Sequence, residues 1–366
     1  MSKVLLSEET IARVKKENSF DFIRYLLAIS IFISHFSVLT DSSVPWPIPA
    51  SVRVKGFFIM SGFLVFLSFA RNTRPEVYFS KRFYRLMPGY IGVVLFGFLL
   101  SLLVCETSPL TLLSDPQAYK YLFANLFTLN FLQPDLPGVF TNQPIRAING
   151  SLWTIKVEIL LYLTVPLVYW LSMRFKKGWI IPLIYLASVL YSEGCSYLYQ
   201  ETGSKIYEIM NRQVVGQMKY FYAGTFILCY FNRFCKYIRW IYPAAIVLFM
   251  TGFITGFNLV ILRLLEPIAL ASLLIGLAYF CKPLNFLRRY DNISYGIYLY
   301  HYPVIQLLIW SGLYEKSKLG TFLVALFMTI SLAAISWHFL EKNYLSGVRG
   351  IASGTSRRTT KQAVSE

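Results

Sequence analysis

Three ionisable side chains stand where a membrane span should have none. In DFIRYLLAISIFISHF, residues 21–36, an otherwise apolar run carries Asp21, Arg24 and His35. Such groups cost about 2.5–3.5 kcal/mol each at mid-bilayer on insertion scales, so they usually face a protein interior or cavity and mark function. On a helix, eleven residues make about three turns and about 16 Å of rise, which puts Arg24 and His35 on nearly one face. Asp21, three positions ahead of Arg24, is spaced for a local ion pair. An imidazole is the side chain best suited to take a proton from a hydroxyl near neutral pH. A plainer arrangement also fits, with Asp21 and Arg24 paired at the membrane edge and His35 capping a buried carbonyl.

Glu158 is the acid inside NGSLWTIKVEILLYLTVP, residues 149–166. A carboxylate at the depth of His35 would orient the imidazole and stabilise its cation; the alternative is a buried pair with Lys156 or Arg263. Arg82 and Arg85 stand three apart in KRFYRLMP, at the inner mouth of the third span. Two guanidinium forks on one face match phosphate oxygens bidentately, although a pair of interfacial anchors would read the same way. His301 lies in NISYGIYLYHYPV, in the inner half of its run, and Pro303 after it can loosen the helix and free a carbonyl. The ending SWHFLEKNYL, with Trp337, His338, Glu341 and Lys342, reads as an aromatic and basic interfacial belt.

The elements that must position these residues are membrane helices. The chain has 366 residues, 56% hydrophobic and 14% charged, a composition normal for a polytopic membrane protein and too apolar for a soluble domain of this length. Runs able to cross about 30 Å of hydrocarbon occur near 22–40, 54–70, 88–104, 150–172, 179–192, 214–231, 240–256, 259–280, 293–313 and 320–340. The 179–192 run is short, and 121–132 reads as an interfacial or re-entrant helix. The fold class is therefore all-α, polytopic, with about ten transmembrane helices.

With the N-terminus inside, the inner segments hold 23 of the 35 basic residues and the outer segments 8, so the positive-inside rule puts both termini in the cytoplasm. The net charge of +17 is then mostly a topology signal, and nucleic acid is not a partner, because no recognition module accompanies the basic residues. Residues 1–20 read as a charged cytoplasmic lead without a cleavable signal peptide, 21–345 as the transmembrane domain, and 346–366 as a disordered cytoplasmic tail. Cys229, Cys235 and Cys281 fall near the inner face and stay reduced, whereas Cys105 and Cys195 fall near the outer face, within reach of an oxidant. No metal-ligand spacing is present, and self-association is left open.

In order along the chain, Arg24 and His35, FFIMSGFLV at 57–65, Arg82 and Arg85, SLWTIKVEILLYL around Glu158, SYGIYLYHYP around His301 and FLEKNYL near the end resemble the acyltransferase-3 family of integral membrane acyltransferases. The ordered set, covering 20 to about 345, carries the resemblance rather than any one motif. It implies a ten-helix protein of the inner membrane, in a standalone form without an SGNH domain, that moves an acyl group, usually acetyl, from cytoplasmic acyl-CoA to a hydroxyl of an extracytoplasmic or lipid-linked glycan such as O-antigen or another surface polysaccharide. In that scheme acetyl-CoA is the donor, Arg82 and Arg85 hold its phosphates, Arg24 and His301 line the donor's path, His35 is the base and Glu158 its acid, and Trp153 or a tyrosine stabilises the oxyanion. The departures are Lys156 in WTIKVE, where a small polar residue is common, and EKN where a proline often follows the lysine. The rival class is a proton-coupled transporter or lipid-linked glycan flippase using Arg24, His35, Glu158 and Arg263 as a relay, but no pair of corresponding interrupted helices suggests inverted repeats.

Overall fold

The structure, a computed structural model, describes residues 6–14, 18–175, 178–280, 284, 286, 287 and 291–344. The expected tail and residues 1–5 and 15–17 of the lead lie outside the described residues. Every regular element among those described is helical. In chain order they are α1 (Glu8–Val14), α2 (Phe20–Leu39), α3 (Ala50–Arg71), α4 (Pro75–Val104), α5 (Pro109–Ser114), α6 (Pro116–Leu126), α7 (Trp153–Arg174), α8 (Ile180–Thr202), α9 (Lys205–Arg212), α10 (Val214–Cys229), α11 (Phe231–Ile254), α12 (Val260–Phe280), α13 (Ser294–Trp310), α14 (Leu313–Lys316) and α15 (Lys318–Ser336). Eight segments, led by α2, α3, α4, α7, α8, α11 and α12 and closed by α15 with its continuation to Tyr344, are long and apolar enough to cross a membrane. Two further apolar helices, α10 with 16 residues and α13 with 17, lie where two more of the ten runs were expected and are shorter than those eight.

Three boundaries differ from the hydropathy reading. The segment expected to link the second and third spans is helical from Pro75, with proline at the favoured first position and Glu76 in the first turn. At 30 residues α4 is about 45 Å long, more than hydrocarbon alone needs, so Arg82 and Arg85 belong to the helix and not to a loop. Likewise α11 starts at Phe231, and the basic stretch counted as a loop is helix, its Arg233, Lys236 and Arg239 each lying over a neighbouring aromatic ring. The short fifth run becomes a helix of 23 residues that stops at Gly203, whose φ of 67° is the left-handed conformation that ends helices. Cys105, Cys195, Cys229 and Cys235 are free thiols.

The chain forms two compact units. One comprises the chain up to Leu27, Ile48–Thr73 and Val157–Asp291. Its tightest crossing joins α3 to α10, where a Cβ on Gly62 would fall 1.8 Å from the Phe221 carbonyl oxygen and one on Gly224 would fall 2.1 Å from that of Ile59. Small residues are what let backbones approach this closely within a membrane. Thr225 Oγ1 donates to the Gly62 carbonyl at 3.0 Å across the same crossing, and Phe20, Phe63, Phe231 and Tyr279 form an aromatic cluster nearby.

The other unit comprises Ala28–Pro47, Arg74–Lys156 and the chain from Asn292. Its core is α13, buried along almost its whole length, packed with Phe32, Phe36 and Leu39 of α2 and Ala325 of α15. On α4, Ile91, Leu95, Leu99 and Leu103 repeat every four residues and are exposed, Leu103 by 79%. Such a stripe would be a liability in water and is what a lipid-facing surface requires.

Candidate active site

The second unit brings two of the three histidines together. His301 is fully buried at the middle of α13, and His35 is half-buried near the end of α2. His35 Nδ1 lies 2.6 Å from His301 Nε2, with the rings within 7° of parallel. The sequence expectation of His301 in the inner half of its span and His35 in the outer half is corrected by this contact, which sets both at one depth; α13 ends at Trp310, short of the 313 expected, so His301 falls at its centre.

The hydrogen bonds assign the tautomers. His301 Nδ1 lies 3.2 Å from the Ile297 carbonyl, a group that can only accept, so Nδ1 carries the proton and Nε2 the lone pair. His35 Nδ1–H must then donate to His301, which leaves Nε2 as the basic nitrogen of His35. One histidine thus fixes the tautomer and orientation of another, the role an acid has in hydrolytic triads. Tyr302 meets the His35 ring edge-on at 5.3 Å, and the Trp46 indole, donating to Ser30 Oγ at 2.8 Å, pins the chain after α2 back onto that helix.

His301 is held in turn by the NGSLWT turn ahead of α7. Pro303 has no N–H, so the Leu299 carbonyl loses its helical donor; Asn149 Nδ2 replaces it at 2.9 Å. The Asn149 carbonyl oxygen Oδ1 accepts from Ser151 N and Oγ, and Tyr298 Oη donates to the Ser151 carbonyl at 2.6 Å and contacts Thr154 Oγ1. Gly150 is required here, because a Cβ would come 2.8 Å from the Tyr302 ring. Further along α13, Gln306 Nε2 donates to the carbonyls of Ile145 and Ala147. Trp153 opens α7, half-buried.

Arg82 and Arg85 lie in the first part of α4 and are half-buried. The Arg85 guanidinium lies over the rings of Tyr295 and Trp337, at 5.6 and 5.7 Å, and Nη1 is 3.6 Å from Glu341 Oε2. Glu341 is buried and accepts from Ser336 Oγ at 3.3 Å. The interfacial-belt reading of Glu341 is therefore corrected: Trp337–Glu341 is a π-helical turn, the wider turn common at functional sites, and it carries this carboxylate inward.

Arg24 and Glu158 belong to the first unit. Arg24 Nη1 donates to Asp21 Oδ1 at 2.9 Å, the spacing-predicted pair. Glu158 accepts from Ser61 Oγ at 3.0 Å and from the Tyr162 hydroxyl. Among the described residues no salt bridge involves it: Arg263 pairs with Glu193 at 2.6 Å, and Lys156, in the second unit, sits over the Phe131 ring at 4.4 Å. Both ion-pair alternatives for Glu158 are thus absent among the described residues.

The family model described as an acyltransferase domain, acyltransferase-3, matches residues 17–341. The chain belongs to the acyltransferase-3 family. This acyltransferase is 26% identical over 354 residues to "Nodulation protein 10" of Rhizobium leguminosarum bv. viciae, covering 89% of this chain and 92% of that protein. It is 22% identical over 375 residues to "O-acetyl transferase" of Shigella phage Sf6, covering 90% of this chain and 97% of that one. No solved structure matches it. The acyltransferase is accordingly a multi-pass membrane O-acyltransferase.

Proposed function

We propose that this acyltransferase moves an acetyl group from cytoplasmic acetyl-CoA to a hydroxyl of an extracytoplasmic glycan, such as O-antigen or another surface polysaccharide, working in the inner membrane with both termini in the cytoplasm. The observation that carries the reading is the 2.6 Å bond between His35 and His301, which prepares a basic imidazole nitrogen inside an apolar bundle. The name of the phage relative, an O-acetyl transferase, supports acetyl as the group.

In the proposed reaction His35 Nε2 takes the proton of the acceptor hydroxyl as its oxygen bonds to the thioester carbonyl carbon. The tetrahedral intermediate collapses, the carbon–sulfur bond breaks, and the coenzyme thiolate receives the proton from Nε2. Arg82 and Arg85 bind the coenzyme's phosphates and Arg24 lies along the donor's path. The Trp153 indole N–H is the candidate oxyanion donor, and His301 fills at His35 Nδ1 the orienting role that a carboxylate would otherwise have.

The test uses purified protein in phosphatidylcholine nanodiscs, with acetyl-CoA affinity and slow thioester hydrolysis measured together. Wild type binds and turns over, Arg82→Ala loses affinity, and His35→Ala keeps affinity but loses turnover. If wild type has no affinity for any acyl-CoA, the donor assignment fails.

A further inference from the structure

The first unit contains a polar cavity of about 310 Å³ that the reaction above does not use. It lies among the start of α3, the end of α8, α9, the start of α10 and the start of α12. Three ion pairs line it. Lys55 Nζ donates to Glu266 Oε1 at 2.7 Å; the Arg263 Nε and Nη2 hold Glu193 Oε2 at 2.7 and 2.6 Å; Arg212 pairs with Glu208. Glu266 Oε2 accepts from Tyr220 Oη at 2.8 Å.

These pairs cancel and leave one cation over. Lys219 Nζ donates to Ser192 Oγ at 2.7 Å and lies 5.3 Å from the Tyr220 ring centre, and among the described residues it makes no salt bridge. An ammonium has three donors, and a poorly hydrated cation without a counterion is costly to keep. The cavity is at the lower end of the size range of small-molecule sites, about 300–1,000 Å³, enough for one sugar ring. Its carboxylates, together with the Asn211 amide that lines the wall, offer the donors and acceptors that ring hydroxyls need. A single uncompensated positive charge matches a carboxylate; a phosphomonoester would bring a charge of about −1.5 to −2.

We propose that this cavity binds one uronic-acid-type sugar of the acceptor glycan, with its carboxylate on Lys219. The inference rests on the acyltransferase reading with a glycan acceptor, and it narrows that acceptor to an acidic polysaccharide. Two of the segments around the cavity, 41–55 and 193–213, are among those that charge distribution puts on the extracytoplasmic side.

The experiment titrates methyl β-D-glucuronide, its neutral methyl ester and methyl β-D-glucoside against the full chain in phosphatidylcholine nanodiscs, by saturation-transfer NMR. The glucuronide should bind at least about tenfold more tightly than either neutral probe, the size of effect a charge-assisted contact gives. Lys219→Gln should remove that preference and Lys219→Arg should retain it. Equal binding of the ester and the acid by wild type overturns the proposal without any variant, and so does a preference that survives Lys219→Gln. Acetyl-CoA hydrolysis by the same wild-type sample separates the two readings: hydrolysis without glucuronide binding sinks the cavity assignment alone, whereas glucuronide binding without acyl-CoA affinity or hydrolysis sinks the acyltransfer scheme and with it the sugar's role as acceptor, leaving only a uronate-binding cavity.

Discussion

Arg85 Nη1 stands 3.6 Å from Glu341 Oε2, a guanidinium that is 26% exposed facing a carboxylate that is 1% exposed. The two partners are therefore unequal. Arg85 can reach toward the interface if its partner goes, whereas Glu341 has nowhere to turn but Ser336. Arg85→Met should cost about 3–5 kcal/mol, the usual result of stranding one member of a buried pair. The double variant Arg85→Met, Glu341→Leu should recover a good part of that loss, because neither charge is then left buried. Thermal melts of wild type and the two variants in detergent check this; a double variant no more stable than Arg85→Met alone refutes it.

The His35–His301 bond makes His301 a positioning residue, and its removal should show in turnover rather than in donor affinity. His301→Ala should lower the rate constant for acetyl-CoA turnover about a hundredfold or more, with the Michaelis constant for acetyl-CoA little changed. His301→Gln offers an amide acceptor to His35 Nδ1–H and should recover part of the rate. Steady-state kinetics of the three proteins decide between this and a purely structural role, which would move stability and leave Gln no better than Ala.

How much of this was legible in the sequence differs from residue to residue. The helical membrane architecture is legible because each span must be apolar for about 20 residues, and His35 stands out because a histidine there is costly. Its partner was harder to read. Depth read from the ends of a hydropathy run is only as good as those ends: the run reaches 313 where α13 stops at Trp310, and that difference moves His301 from the inner half to the centre. The beginning of α4 is hidden for a related reason: hydropathy ends where the membrane ends, but Pro75 and Glu76 start the helix well before that. Glu341 looks like a belt residue because no sequence pattern marks the π-helical turn that carries it inward. Asn149 was readable in principle, since Pro303 requires some donor for the Leu299 carbonyl.

That last relation gives a double-mutant cycle. Asn149→Ala should cost about 1–3 kcal/mol by leaving the buried Leu299 carbonyl unsatisfied. In the background of Pro303→Ala the new N–H can restore the helical bond to the same carbonyl, so removing Asn149 should cost less there. Chemical or thermal unfolding of the four proteins measures the coupling. Equal costs in both backgrounds would show that the amide's importance lies in Ser151 instead.

The α3–α10 crossing predicts the most severe loss of folded protein in the first unit. A Cβ at Gly62 would sit 1.8 Å from a backbone oxygen, and one at Gly224 2.1 Å from another. Neither obstacle is a flexible side-chain tip, so the helices themselves must separate. Separation also breaks the Thr225 bond to the Gly62 carbonyl. Gly62→Ala and Gly224→Ala should therefore each abolish or greatly reduce the monodisperse peak of a fluorescent fusion in detergent. Gly194, with nothing within 4 Å of where its Cβ would be, is the matched control on α8. There alanine should be tolerated and should gain up to about 1 kcal/mol from helix propensity, and a loss at Gly194 equal to that at Gly62 would mean that the close crossing does not limit folding.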